Sequence, residues 1–197
     1  MSAFILLNGF PGVGKLTIAK ELAALLPDAR VFSNHLLIDT AAALYNRDEA
    51  FYRPLRKELR RTILDSLASG LKGTSSNRII IFTECQTINA EGSATMQEYL
   101  IASRKIGCQF FSLVLHCPTE TNVERLTSRA ASVSSTTKLV DPVILREILL
   151  GEPIYHYGSE ADWELDVNVG SRTAKDLAQQ LAADITLALV EKRRSRT

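Results

Sequence analysis

The run Gly9-Phe10-Pro11-Gly12-Val13-Gly14-Lys15 places three glycines and a lysine within seven residues, between the apolar stretch 3–8 and the amphipathic segment KLTIAKELAALL. Glycines at this spacing allow turns closed to other residues, so that successive backbone N–H groups of the loop, those of Pro11's neighbours and Val13 included, can point at an anion. A helix starting at once behind them adds the positive end of its dipole, and Lys15 adds a point charge. The pattern satisfies G-x-x-x-x-G-K in the strand-to-helix context that this motif needs to cradle phosphate. Leu16 departs from it, because the residue after the lysine normally supplies a hydroxyl to Mg2+. Thr17 is the next hydroxyl and the one candidate on the metal side.

Further along, Arg125 and Arg129 lie four apart, so a helix sets both on one face, where they can converge on a phosphoryl group. Asn34 and His35 end one apolar stretch and Glu84 ends another. An imidazole accepts a proton near neutral pH, which makes His35 a candidate base; its alternative is a structural, hydrogen-bonded histidine. A carboxylate at a strand end, such as Glu84, is a second candidate. Arg53, Arg56 and Arg60 recur at three and four and form a basic stripe able to hold a phosphate or carboxylate, although basic residues alternating with Glu58 and Asp65 also describe a solvated helix face.

These groups need a scaffold. Short apolar runs at 3–8, 30–33, 78–84, 109–116 and 164–168 alternate with helix-period segments at 14–26, 37–45, 53–70, 92–106, 119–130, 141–150 and 173–191. That alternation predicts an α/β fold of three layers, a five-stranded parallel sheet with helices on both faces. Ligands of such a sheet gather beyond the carboxyl ends of its strands, where the loop, Asn34, His35 and Glu84 all fall. The polar stretch AASVSSTTK has the length of a flap or lid at about 130–140, and Asp141 with Pro142 predicts a capped helix start behind it. One domain over residues 1–197 is expected.

Composition narrows the partners. Twenty-three Lys and Arg against 22 Asp and Glu leave a net charge of +1, which gives no general attraction to nucleic acid or to an anionic membrane. The early apolar run AFILL is too short for a membrane span. Cys85, Cys108 and Cys117 form no C-x-x-C pair and an odd count, so a reducing, cytoplasmic setting is expected.

Beyond single residues, the chain resembles the phosphate-loop (P-loop) NTPase fold of small-molecule and nucleotide kinases. Its loop is similar to that of nucleoside monophosphate kinases such as adenylate kinase, whose Gly-Lys-Gly-Thr also lacks a hydroxyl directly after the lysine. The segment LVLHCPTETNVERLTSR resembles the P-x-E-x-x-x-x-R-x-x-x-R signature that opens the lid of shikimate, gluconate and chloramphenicol kinases, here on Pro118, Glu120, Arg125 and Arg129. NGFPGVGKLT and VFSNHLLID resemble segments of phosphate-loop ATPases of the same kind. The resemblance implies ATP and Mg2+, with Gly9, Pro11, Gly12, Val13, Gly14, Lys15, Leu16 and Thr17 around the phosphates and Arg125 on the nucleotide. It also implies an adenine-holding turn in DVNVGSRTAKDL, where Gly170 permits the turn and Arg172 can stack on the base, while Thr173 equally suits a plain helix cap. The acceptor side falls on Asn34, His35, Arg53, Arg56 and Glu84. Relatives carry an aspartate near the end of the second strand; this chain has Ser-Asn-His there, and the nearest carboxylate, Asp39, comes about one turn later.

The expected chemistry is in-line transfer of the γ-phosphoryl group of ATP to a small-molecule or nucleotide acceptor, with Lys15, Arg125 and Arg129 stabilising charge and His35 or Glu84 orienting the acceptor. A P-loop NTPase and a nucleotide-binding module without turnover are the alternatives. The identity of the acceptor, the base preference and the oligomeric state are open at this point.

Overall fold

The computed structural model describes residues 2–71, 77–130 and 139–194, apart from the side chains of 129, 130 and 192–194. The elements run β1 (Ala3–Gly9), α1 (Lys15–Leu25), β2 (Ala29–Ser33), α2 (His35–Ala42), α3 (Tyr52–Leu71), β3 (Ile79–Glu84), α4 (Ala90–Ile106), β4 (Gln109–His116), α5 (Thr119–Ala130), α6 (Pro142–Leu150), a 3-10 turn at Gly158–Glu160, β5 (Trp163–Asn168) and α7 (Ala174–Arg194). All five strands pair in parallel in the order β2-β3-β1-β4-β5.

Alternation along β1 explains the layers. Ile5 and Leu7 face a core completed by Ile81, Leu113, Leu22 of α1 and Leu181 of α7. Phe4 and Leu6 face the opposite one, with Phe82, Phe110, Leu64 of α3 and Met96 and Tyr99 of α4. Successive strand side chains point to opposite faces, so a strand buried on both sides must be apolar throughout. Each fully buried large side chain contributes roughly 1.5–3 kcal/mol, which makes this double core the dominant stabilising feature.

The helices start where short polar side chains can cap them. Asn89 accepts from Gly92 N at 2.7 Å, Asp141 from Val143 N at 2.8 Å, and Thr173 from Asp176 N at 3.1 Å. The Asp141 and Thr173 caps match the sequence expectation. Helix α2 begins earlier than its apolar pattern suggests, because Leu37 N and Ile38 N already bond to Asn34 O at 3.0 and 3.1 Å. His35 is therefore the first residue of a helix that rises directly off the end of β2.

Being central, β1 has β3 on one side and β4 on the other, and the chain crosses to β2 and β3 before returning to β4. This is the switch point at which an open parallel sheet leaves a crevice. Registers Asn8↔Glu84 and Asn8↔Val114 set the end of β3 beside Asn8 at its floor, while β4 runs two residues further to His116.

Candidate active site

Two loop glycines have backbones that other residues rarely adopt, Gly12 at φ 86° and Gly14 at φ 101°. At Gly12 space is also excluded, since a Cβ would lie 2.9 Å from the backbone oxygen of Asn122. Nothing caps α1: Gly14 offers no side chain, and the first turn holds no acidic residue. Its N-terminal amides and dipole are thus directed at whatever anion the loop encloses. Lys15 Nζ donates to Gly9 O at 2.6 Å and to Phe10 O at 2.9 Å, curling over the loop mouth. Pro11, Val13, Leu16 and Thr17 line the same cleft, Thr17 with its side exposed.

That cleft, of about 1560 Å³, extends from the loop past the ends of β2 and β3 to helices α3 and α4. At its floor Glu84 is 1% exposed. Its Oε1 accepts from the Tyr99 hydroxyl at 2.6 Å, and its Oε2 accepts from Asn34 Nδ2 at 2.8 Å and Gln86 Nε2 at 2.9 Å. Burial, followed by the neighbouring Glu84 charge, pushes the Tyr99 hydroxyl well above the ordinary tyrosine range, so it remains a donor. Asn8, itself fully buried, accepts from Gln86 N at 2.9 Å and donates to Gln86 O at 2.9 Å and Tyr155 O at 3.1 Å. The strand ends are thereby locked to the loop that follows β3. His35 lines the cleft beside them, its backbone N–H 3.4 Å from Ser33 Oγ.

The arginines of α3 separate into different roles. Arg53 is exposed and pairs with Glu91 of α4. Arg60 is 6% exposed and donates to Glu98 at 2.6 Å and Thr95 Oγ1 at 3.3 Å. Burial disfavours its charge, but the Glu98 hydrogen bond and neighbouring Tyr99 and Glu84 outweigh this and hold its pKa above the ordinary value. Arg60→Ala should cost roughly 2–4 kcal/mol in urea denaturation, because Glu98 loses the partner that ties α4 to α3. Arg56 lies between them, its Nη2 3.3 Å from Asn34 Oδ1 and its guanidinium 5.7 Å from the centre of the Tyr52 ring.

At the other end of the cleft, Arg125 reaches from α5 to Val13 O at 3.4 Å and to Val169 O and Gly170 O at 2.9 and 3.2 Å. It thus joins the phosphate loop to the β5–α7 turn. Arg172 is exposed at the cleft edge and bonds Gln180 Oε1 at 2.7 Å, beside the Thr173 cap. Glu120 and Arg146 form a two-pronged pair at 2.8 and 3.0 Å that ties α5 to α6; the pairing lowers the pKa of Glu120 and raises that of Arg146. The backbone of Arg129 belongs to α5, but its side chain, and residues 131–138 of the lid expected at about 130–140, lie outside the described residues.

Other chemistries find less support. Burial raises the pKa of Cys85, of Cys117 and of Cys108, the last to about 12, so these free thiols stay protonated. Among the described residues no group of three or more His, Cys, Asp or Glu side chains is arranged to hold a metal ion. Nor is any described helix long and apolar enough to cross a membrane.

Sequence reasoning did not single out Asn8, Gln86, Tyr99, Glu98 or Asn122. Gln86 carried a local signal, two residues beyond Glu84; the others meet the site only through pairings distant in the chain.

The AAA domain family matches residues 5–137. A candidate kinase from Chloroflexus aurantiacus is similar in structure at a TM-score of 0.66 and 16% identity, covering 95% of this chain and 97% of its own. Shikimate kinase from Acinetobacter baumannii, in complex with shikimate, aligns at a TM-score of 0.54 and 21% identity over 96% and 94% of the two chains. The tunicamycin resistance protein of Deinococcus radiodurans gives a TM-score of 0.54 and 18% identity over 94% and 96%. No curated protein matches the sequence. At such identities the likeness carries the fold, which is that of the P-loop small-molecule kinases expected from the sequence.

Proposed function

This chain belongs to the AAA domain family, and on that premise we propose that it is an ATP-dependent phosphotransferase, moving the γ-phosphoryl group of ATP to a hydroxyl of a small-molecule or nucleotide acceptor. The observation that carries this reading is one continuous cleft with a phosphate cradle at one end and an organised set of polar side chains, Asn34, His35, Arg56 and Glu84, at the other. An NTPase or a nucleotide-binding module has no need of that second half.

The loop fits a polyphosphate, since its glycine conformations and the uncapped α1 leave backbone donors directed into the cleft. Lys15 would exchange the Gly9 and Phe10 carbonyls for phosphate oxygens. Among the described residues a divalent ion finds few protein ligands, so Mg2+ would rest mainly on phosphate oxygens and water, with Thr17 the nearest loop hydroxyl; when bound, it would neutralise charge on the phosphates. Transfer forms a bond between the acceptor oxygen and γ-phosphorus and breaks the one to the β-phosphate bridge, releasing ADP and a proton. Glu84 already accepts three protein donors, which favours His35 as the group that receives this proton. Arg125 and Arg129 serve the nucleotide and the phosphoryl group, Gly170 and Arg172 the base, and a lid at about 130–140 excludes water.

The test is ADP release from ATP and Mg2+ by the purified protein, alone and with nucleoside monophosphates, sugar acids and neutral hydroxylated compounds. A jump with one acceptor class supports the kinase; a slow rate indifferent to all of them, with ATP still bound, moves the assignment to an NTPase or a binding module. Arg125→Ala should lower turnover about a hundredfold. It should also weaken ADP binding about tenfold, since the loop and the base turn lose their common brace. An unchanged rate would remove Arg125 from the reaction.

A further inference from the structure

Three arginines of α3 line the cleft, yet the protein supplies counterions unevenly. Arg53 has Glu91 and Arg60 has Glu98. For Arg56 no ion pair occurs among the described residues; its contacts are the neutral Asn34 oxygen, at the long distance of 3.3 Å, and the face of Tyr52. Its Nε is buried without a hydrogen-bond partner. A half-buried guanidinium with an orphaned N–H has lost hydration that nothing returns, a cost relieved when an anion with paired oxygens docks.

The neutral partner is itself held in place. A carboxamide can turn over, exchanging oxygen for nitrogen. Asn34 is fixed by Glu84, which takes its Nδ2 hydrogen and so turns Oδ1 toward Arg56. Glu84 is fixed in turn by Tyr99 from below and Gln86 from the side. We propose that Arg56 is the anchor for an oxyanion of the acceptor, a carboxylate or phosphate group, and that Tyr99, Glu84 and Asn34 form a positioning chain that aims it. This rests on the kinase reading for the word acceptor. It narrows the acceptor to an anionic molecule, a sugar acid or a nucleotide, and excludes a neutral hydroxylated one.

The chain also accounts for an asparagine where an aspartate would pair more strongly. An aspartate at 34 would stand against the buried Glu84 carboxylate and would satisfy Arg56 internally, leaving it nothing to offer a ligand.

The experiment reads the side-chain 15Nε–1H resonance of Arg56, identified by its loss in Arg56→Lys. The full-length protein is saturated with ADP, so that the phosphate loop is filled, and titrated with acetate, inorganic phosphate and glycerol. A saturable shift with acetate or phosphate, and none with glycerol, is expected; the anion that binds more tightly tells a carboxylate acceptor from a phosphate-bearing one. Asn34→Asp should abolish the shift. Tyr99→Phe, which keeps the ring in its core site, should weaken the anion about tenfold while leaving ADP affinity unchanged. Absence of a shift with both anions would overturn the proposal, as would equal shifts in wild type and Asn34→Asp. Failure of ADP to bind in the same sample would instead strike the nucleotide reading, and repeating the titration in Lys15→Ala would still report on Arg56.

Discussion

Lys15→Ala is expected to lower ATP turnover by about a hundredfold to a thousandfold while the protein stays folded. The loss follows from the removal of a point charge at the loop mouth, a donor whose alignment with the phosphates improves as charge moves toward the leaving oxygen. The fold should tolerate it. The Lys15 bonds to Gly9 O and Phe10 O are worth roughly 1.5–3 kcal/mol each at most. The loop geometry rests instead on Gly12, Gly14 and the packing of Val13, which is 1% exposed. Circular dichroism and urea denaturation check the folding, and ADP release checks the rate. ADP should still bind, more weakly, because the loop amides and the start of α1 are intact. A variant that turns ATP over at the wild-type rate would place the reaction somewhere other than this cleft.

The parts of the molecule that sequence could reach were those governed by local rules. Strands such as IIIFTE are apolar on both faces because helices cover both, and the loop motif is defined by backbone conformations that only its glycines adopt freely. Asp141 and Thr173 cap helices through side chains two or three residues from their targets, so their roles were legible from spacing. The acceptor side was only half legible. Arg53, Arg56 and Arg60 formed one stripe in the sequence; what divides them is the placement of Glu91 and Glu98 on another helix, 38 residues away in each pairing. Glu84 could be singled out as a carboxylate at a strand end, but its engagement with Tyr99 and Asn34 depends on a sheet register and on the packing of α4. Similarly, the sequence marked Arg125 for the phosphoryl group without showing that its guanidinium braces the Gly170 turn. Distant pairings, not propensities, set these roles.

Glu84 also separates two mechanisms. Glu84→Ala should destabilise the protein by roughly 3–5 kcal/mol, since it leaves the buried Tyr99 hydroxyl and the Asn34 and Gln86 amides without their common acceptor and opens a void beneath them. For a chain of this size that corresponds to a fall in melting temperature of about 10 °C or more. Glu84→Gln should behave differently. Its remaining oxygen can serve the two amides, and its new NH2 can donate to the Tyr99 oxygen once that hydroxyl rotates, so the loss should stay near about 1–2 kcal/mol, the difference between charged and neutral hydrogen bonds. The rates then discriminate. A carboxylate that takes the acceptor proton is worth about a hundredfold or more, and glutamine cannot replace it. A carboxylate that only orients Asn34 is replaced by glutamine with less than about a tenfold fall, appearing as a raised KM for the acceptor and not as a lowered kcat. The three donors already on Glu84 lead us to expect the second result; a fall in kcat of a hundredfold in a folded Glu84→Gln protein would make Glu84 the base and return His35 to a structural role.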